Sequence, residues 1–118
     1  MTNFNKVTIA DNGRVELHDL LSLTGAEISI NHLPAGASVP FVHAHKDNEE
    51  IYAVLEGKGR AVIDGETVEL SAGDWLSVAP AARRRFFAAD DTSIRFICIQ
   101  VKANSLGKYT KDDAIVEP

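Results

Sequence analysis

Residues 36–57 run GASVPFVHAHKDNEEIYAVLEG: two histidines, a short polar break, then a carboxylate leading an apolar run. In an extended strand successive side chains point to opposite faces, so His43 and His45, separated only by Ala44, face the same way. Lys46, Asp47 and Asn48 are turn formers, and Glu50-Ile51-Tyr52-Ala53-Val54-Leu55 reads as a returning strand closed by Glu56-Gly57. The return brings a carboxylate towards two imidazoles. Neutral imidazole nitrogens with a carboxylate oxygen form a ligand set for zinc, iron, manganese or nickel, and open positions would suit non-haem iron oxygen chemistry.

Working outward, Asp64-Gly65-Glu66 separates Gly59–Ile63 from Thr67–Leu70, a strong hairpin signal. Gly73-Asp74 launches a strand over Trp75–Val78, Pro80 halts it, and Asp90-Asp91 precedes a long strand, Ser93–Val101. That strand carries Ile94, Phe96, Cys98 and Gln100 on one face and Arg95, Ile97, Ile99 and Val101 on the other. Upstream, AEISINHLPAG (26–36) places Ile28, Ile30 and His32 on an expected apolar face, with Glu27, Ser29 and Asn31 opposite. Lys6–Ala10 reads as a short opening strand ended by Asp11-Asn12-Gly13, and Arg14–Leu23 as strand, then irregular. Many short strands separated by turns, without a long helical period, indicate an all-β, antiparallel jelly-roll barrel. One domain over 1–118 is expected, with an N-terminal strand and arm (1–25), a barrel core (26–102) and a polar C-terminal arm (103–118).

Gly36, His43, His45, Glu50 and Gly57 together resemble the first motif of the cupin family, specifically the small single-domain cupins of the conserved-barrel (cupin 2) type. Glu49 is the rival carboxylate, but Glu50 has the better spacing, and the gap from Gly36 to His43 is one residue longer than the usual one. The resemblance implies one divalent metal ion, iron, zinc, manganese or nickel, held by His43, His45 and Glu50. Gly65, Gly73-Asp74 and Pro80 are similar to the second motif, with Ser71 where a proline is common. The late histidine of that motif is absent: counting five residues from Pro80 gives Arg85, which keeps its proton and cannot ligate a metal.

Three arrangements follow. The site keeps three protein ligands; or His32 joins as a fourth; or Arg85 turns inward and pairs with Glu50 in place of a metal. A fixed positive charge beside a cation in a poorly hydrated cavity is unfavourable, so metal and inward arginine compete. Arg85, or its neighbour Arg84, is also the candidate clamp for a substrate carboxylate, and Tyr52 the candidate proton donor. Tyr52 and Gln100 offer hydrogen bonds to a ligand; Trp75 and Phe86-Phe87 read as packing.

Length and composition bound the function. The chain has 118 residues, 17 acidic against 12 basic side chains, and one cysteine, Cys98. A net negative surface opposes binding to the nucleic-acid backbone. A lone cysteine excludes an internal disulfide and fits a cytoplasmic setting. Neither a signal core nor an apolar run of bilayer-spanning length is present, which argues against a membrane partner. Strands apolar on both faces point to a homodimer that covers the outer one. The expected partner is a small, anionic organic molecule, taken either by an enzyme acting as dioxygenase or isomerase or by a non-catalytic binding or sensing protein.

Overall fold

A computed structural model describes residues 3–10 and 13–118. Among the described residues there are seven strands, β1 (Val15–Glu16), β2 (Glu27–Leu33), β3 (Asn48–Ile63), β4 (Glu66–Ser71), β5 (Trp75–Val78), β6 (Arg84–Ala88) and β7 (Ile94–Lys102), and one 3-10 turn (Thr110–Asp112). Every pairing is antiparallel, in the order β1-β2-β7-β3-β4, with β5 and β6 also paired to β3. The result is the expected jelly-roll barrel.

β3 is the spine. Its first half pairs with β7 and β5, and its second half, Lys58–Ile63, with β4 and β6. The run expected to close at Glu56-Gly57 instead continues without a break to Ile63. It changes sheets at a bulge between Val54 and Glu56. Gly57 sits there at φ +84, and a Cβ on it would stand 1.8 Å from the Ser93 carbonyl oxygen. Only glycine allows that backbone approach. The Asp64-Gly65 hairpin forms as read, both residues at positive φ, the signature of a type I′ turn.

Alternation sorts β6 and β7 between interior and exterior. Arg84, Phe86 and Ala88 of β6, and Ile94, Phe96 and Cys98 of β7, are buried with Tyr52, Val54, Ala61, Leu70 and Val78. Phe86 and Phe96 stack at 5.3 Å between centroids, and Tyr52 packs on Phe86 at 4.2 Å. β2 reverses the expected sense. Ser29 and Asn31 are the buried residues, while Ile28 and Ile30 are half-buried. They pair with Ile99 and Ile97 across the sheet's outer surface. The cavity that also receives His43, His45 and Glu50 takes the polar face of the strand, which an amphipathic reading assigns to solvent.

Two further expectations change. Residues 6–10 form no strand, and Asp11 and Asn12 of the expected turn lie outside the described residues. Trp75 is 71% exposed on the outer surface, not packed in the core. In the C-terminal arm Leu106, Tyr109, Ile115 and Val116 are all exposed. Among the described residues no helix is long and apolar enough to cross a membrane.

Candidate metal centre

His43 and His45 lie on an irregular segment and not on the regular strand expected. His43 makes a two-way backbone bridge with Arg84, N–H to carbonyl in both directions at 3.0 and 2.9 Å, and the His45 N–H donates to the Pro80 carbonyl at 2.8 Å. Both rings project to one side, their centroids 5.3 Å apart and perpendicular. β3 delivers Glu50 beneath them. Glu50 Oε2 lies 3.2 Å from His45 Nε2, and Oε1 lies 3.8 Å from His43 Nε2.

These three residues are a group whose candidate ligand atoms all fall within 4.8 Å of one another. Donors at about 2.0–2.2 Å around one ion stand roughly 3–3.5 Å apart, so the spacing suits a single cation. His43 Nε2 is the nitrogen that faces Glu50, while its Nδ1 is buried with no hydrogen-bond partner among the described residues. His32, the proposed fourth ligand, is not in the group.

Glu50 is only 4% exposed. Its Oε1 accepts from Tyr52 Oη and, at 2.6 Å, from Arg84 Nη1; its Oε2 accepts from the Cys98 thiol at 3.3 Å. Those three donors leave about one of the carboxylate's four lone-pair sites for a cation. Burial alone would push the Glu50 carboxyl up, but the hydrogen bonds from Tyr52, Arg84 and Cys98 outweigh it and hold the group below its ordinary value. His43 is lowered, chiefly by burial, and so stays neutral and ready to ligate further into acid. Cys98 is pushed up to about 12, by burial and then by the charge of Glu50. Tyr52 is raised by burial first and stays protonated, with its hydroxyl proton committed to Glu50.

The arginine is the correction. Arg84, not Arg85, enters the barrel, with no exposed surface. Beyond Glu50 it donates to the carbonyls of Ala79, Pro80 and Ala82 at 2.6–3.0 Å, pinning the loop that also receives the His45 N–H. Arg85 points the other way. Its Nε donates to the Val39 carbonyl at 2.8 Å, its Nη2 to Ser38 Oγ at 3.0 Å, and its guanidinium lies 4.8 Å from the Phe87 ring centroid. A one-residue change of phase along β6 exchanges the two faces. Arg85 therefore neither pairs with Glu50 nor reaches the candidate metal ligands.

The centre opens into a cavity of about 460 Å³, with Val39, Phe41, Phe86 and Phe96 as apolar walls. Polar groups on its lining include Gln100, as read from sequence, and Arg14, Ser29 and Asn31, which sequence reasoning did not single out. Arg14 immediately precedes the two-residue β1, too short a run to betray which way it points.

A family model for the cupin domain matches residues 29–100, more than half of the chain. The chain is a cupin. It is similar along its whole length to a cupin protein of Bacteroides fragilis, at 61% identity, TM-score 0.98 and full coverage of both chains. Among curated proteins it is 29% identical over 66 residues to an uncharacterized protein of Methanocaldococcus jannaschii, covering 56% of this cupin and 52% of that protein. It is also 29% identical over 105 residues to quercetin 2,3-dioxygenase of Bacillus subtilis, covering 87% of this cupin but 28% of the enzyme. This cupin thus spans about half of one curated relative and little more than a quarter of the other. A predicted oxalate decarboxylase of Thermotoga maritima aligns at 27% identity and TM-score 0.60, over 64% of each chain.

Proposed function

We propose that this cupin binds one divalent metal ion through His43, His45 and Glu50 and uses it to engage a small anionic organic molecule in the barrel cavity. The convergence of two imidazoles and one carboxylate within 4.8 Å, beside a cavity large enough for such a molecule, carries this reading. Bound there, a divalent ion would supply Lewis acidity, and a redox-active one the electrons for dioxygen chemistry. Glu50 is oriented by Tyr52 and Arg84. Tyr52 acts in this reading by positioning Glu50, since its proton is already donated there. Dioxygenase and isomerase chemistry both suit three ligands with open positions, and the likeness to quercetin 2,3-dioxygenase supports the former.

A second reading, ligand binding without turnover, draws on one observation. Tyr52 and Cys98, the other proton-bearing groups against Glu50, are held firmly protonated, so neither is poised as a general base. Assays of iron-, manganese-, nickel- and zinc-loaded protein for oxygen uptake and isomerisation, on hydroxylated aromatics, dicarboxylates and sugar phosphates, separate the two. Turnover abolished by His43→Ala supports the enzyme. Ligand binding with no turnover under any metal supports the binding protein.

We further assign a homodimeric state. Ile28, Ile30, Ile51, Ile97 and Ile99 are only half-buried on the outer sheet surface, and Trp75 and the arm residues Leu106 and Tyr109 are exposed. A second copy would cover such surfaces. The free thiol of Cys98 suits the cytoplasm, where we place the protein.

A further inference from the structure

The polar face of β2 is turned into the cavity, and one cation stands over it. Arg14 Nη1 donates to Asn31 Oδ1 at 2.7 Å, and Asn31 Nδ2 donates to Ser29 Oγ at 3.0 Å. All three line the same cavity as His43, His45 and Glu50. Ser29 is 3% and Asn31 9% exposed, so their side chains are aimed into the barrel and not at solvent. Burying a serine and an asparagine beneath an arginine has a desolvation cost that a purely structural wall of isoleucine or valine would avoid.

The charges make the arrangement selective. Among the described residues Arg14 has one carboxylate contact, Glu16 at 3.4 Å, and both side chains are more than half exposed, so that pair is weak. Among the described residues its Nη2 makes no hydrogen bond. The positive charge of Arg84, by contrast, is spent on Glu50 and three carbonyls. Glu27, the other acidic side chain on the lining, uses Oε1 to accept the N–H groups of Leu17 and His18, each at 3.2 Å, and so anchors the turn after β1.

We propose that Arg14, supported by Asn31 and Ser29, is the anion subsite of this cupin. It takes a carboxylate of a small organic acid, whose remaining oxygen-bearing end faces His43, His45 and Glu50. Nη2, together with the Nε that Glu16 holds only weakly at 3.4 Å, offers the forked donors that a carboxylate accepts in pairs, which a single ammonium cannot reproduce. This is the role expected of Arg85 or Arg84, moved to the residue that precedes β1. The inference deepens the metal-dependent reading and rests on it for the far end of the ligand.

The test is calorimetric titration of malonate, with the neutral malonamide as its matched control, into zinc-loaded and metal-free protein. Parent, Arg14→Gln, Arg14→Lys and Arg85→Gln are compared, with zinc content and thermal melting measured on each. Malonate should bind the parent in preference to malonamide. Arg14→Gln should weaken malonate binding by about tenfold or more, the loss of one charge-assisted forked pair. Arg14→Lys should recover part of that loss, and Arg85→Gln should bind as the parent does. Zinc content should be the same in all four. Malonate binding unaltered in a folded Arg14→Gln variant, or a parent that does not prefer malonate, overturns the subsite. If the parent retains no zinc but the metal-free protein still needs Arg14 for malonate, the subsite stands and the metal reading falls. If zinc is retained but malonate binds independently of Arg14, the metal reading stands and the subsite falls.

Discussion

Arg84 Nη1 meets Glu50 Oε1 at 2.6 Å inside the barrel, and neither side chain has more than a trace of exposed surface. The pair joins the start of β6 to the start of β3, and through Glu50 it belongs to the candidate metal centre itself. A buried ion pair is costly to break from one side because the partner left behind keeps its charge without solvent.

Arg84→Met should therefore destabilise the metal-free protein by about 3 kcal/mol or more. It also strands the carbonyls of Ala79, Pro80 and Ala82. Glu50→Gln should be destabilising for the converse reason. Denaturant unfolding of both single variants and the double variant gives the coupling. The double variant should lose clearly less than the sum, whereas strict additivity would mean that the two charges do not support one another.

The same charge opposes a cation in the centre. Once Arg84 is removed, Glu50 offers its full charge to a metal, and zinc affinity of Arg84→Met should rise by about tenfold, or 1.4 kcal/mol. Competition with a chromophoric chelator measures this. Weaker zinc binding in a folded Arg84→Met variant would show that the arginine serves chiefly to hold the ligands in place.

Acid should destabilise the metal-free protein through both Glu50 and His43. Glu50 is lowered from 4.5, so its contribution is present above that value and is lost as pH falls through the folded value. His43 is lowered from 6.5, so below that pH the unfolded chain takes up a proton that the folded one resists. Melting temperature should fall progressively from 6.5 downward, and His43→Gln should flatten the upper part of that fall. A parent profile that is level through this range would contradict the assigned directions.

How much of this was legible in the chain depends on the residue. His43, His45 and Glu50 could be read because a turn fixes their relation within one short segment, and the Asp64-Gly65 hairpin because its turn demands those residues. The face of β6 could not. Arg83-Arg84-Arg85-Phe86-Phe87 places like residues on both phases, so alternation carries no information, and the choice is made by the His43–Arg84 backbone bridge, a long-range contact. β2 misled for another reason: its isoleucines mark a face covered on the outside, while the cavity takes Ser29 and Asn31. The continuity of β3 was hidden by Gly57, which reads locally as a terminator and acts here as a bend.

Gly57→Ala tests that bend. A Cβ 1.8 Å from the Ser93 carbonyl oxygen cannot be accommodated without moving β7, and the positive φ adds strain. The loss of stability should exceed about 2 kcal/mol. Gly65→Ala, where nothing approaches within 4 Å, should cost less in the same denaturant titration. Equal losses would remove the close approach as the cause.

Metal stoichiometry of the folded protein bears most directly on the centre. Protein reconstituted with zinc and freed of excess by gel filtration should retain up to one ion per chain by elemental analysis. His43→Ala and Glu50→Gln variants that remain folded should retain essentially none, and Arg85→Ala should match the parent. A parent that holds no more metal than folded His43→Ala would contradict the account and leave Glu50 and Arg84 as an ion pair alone.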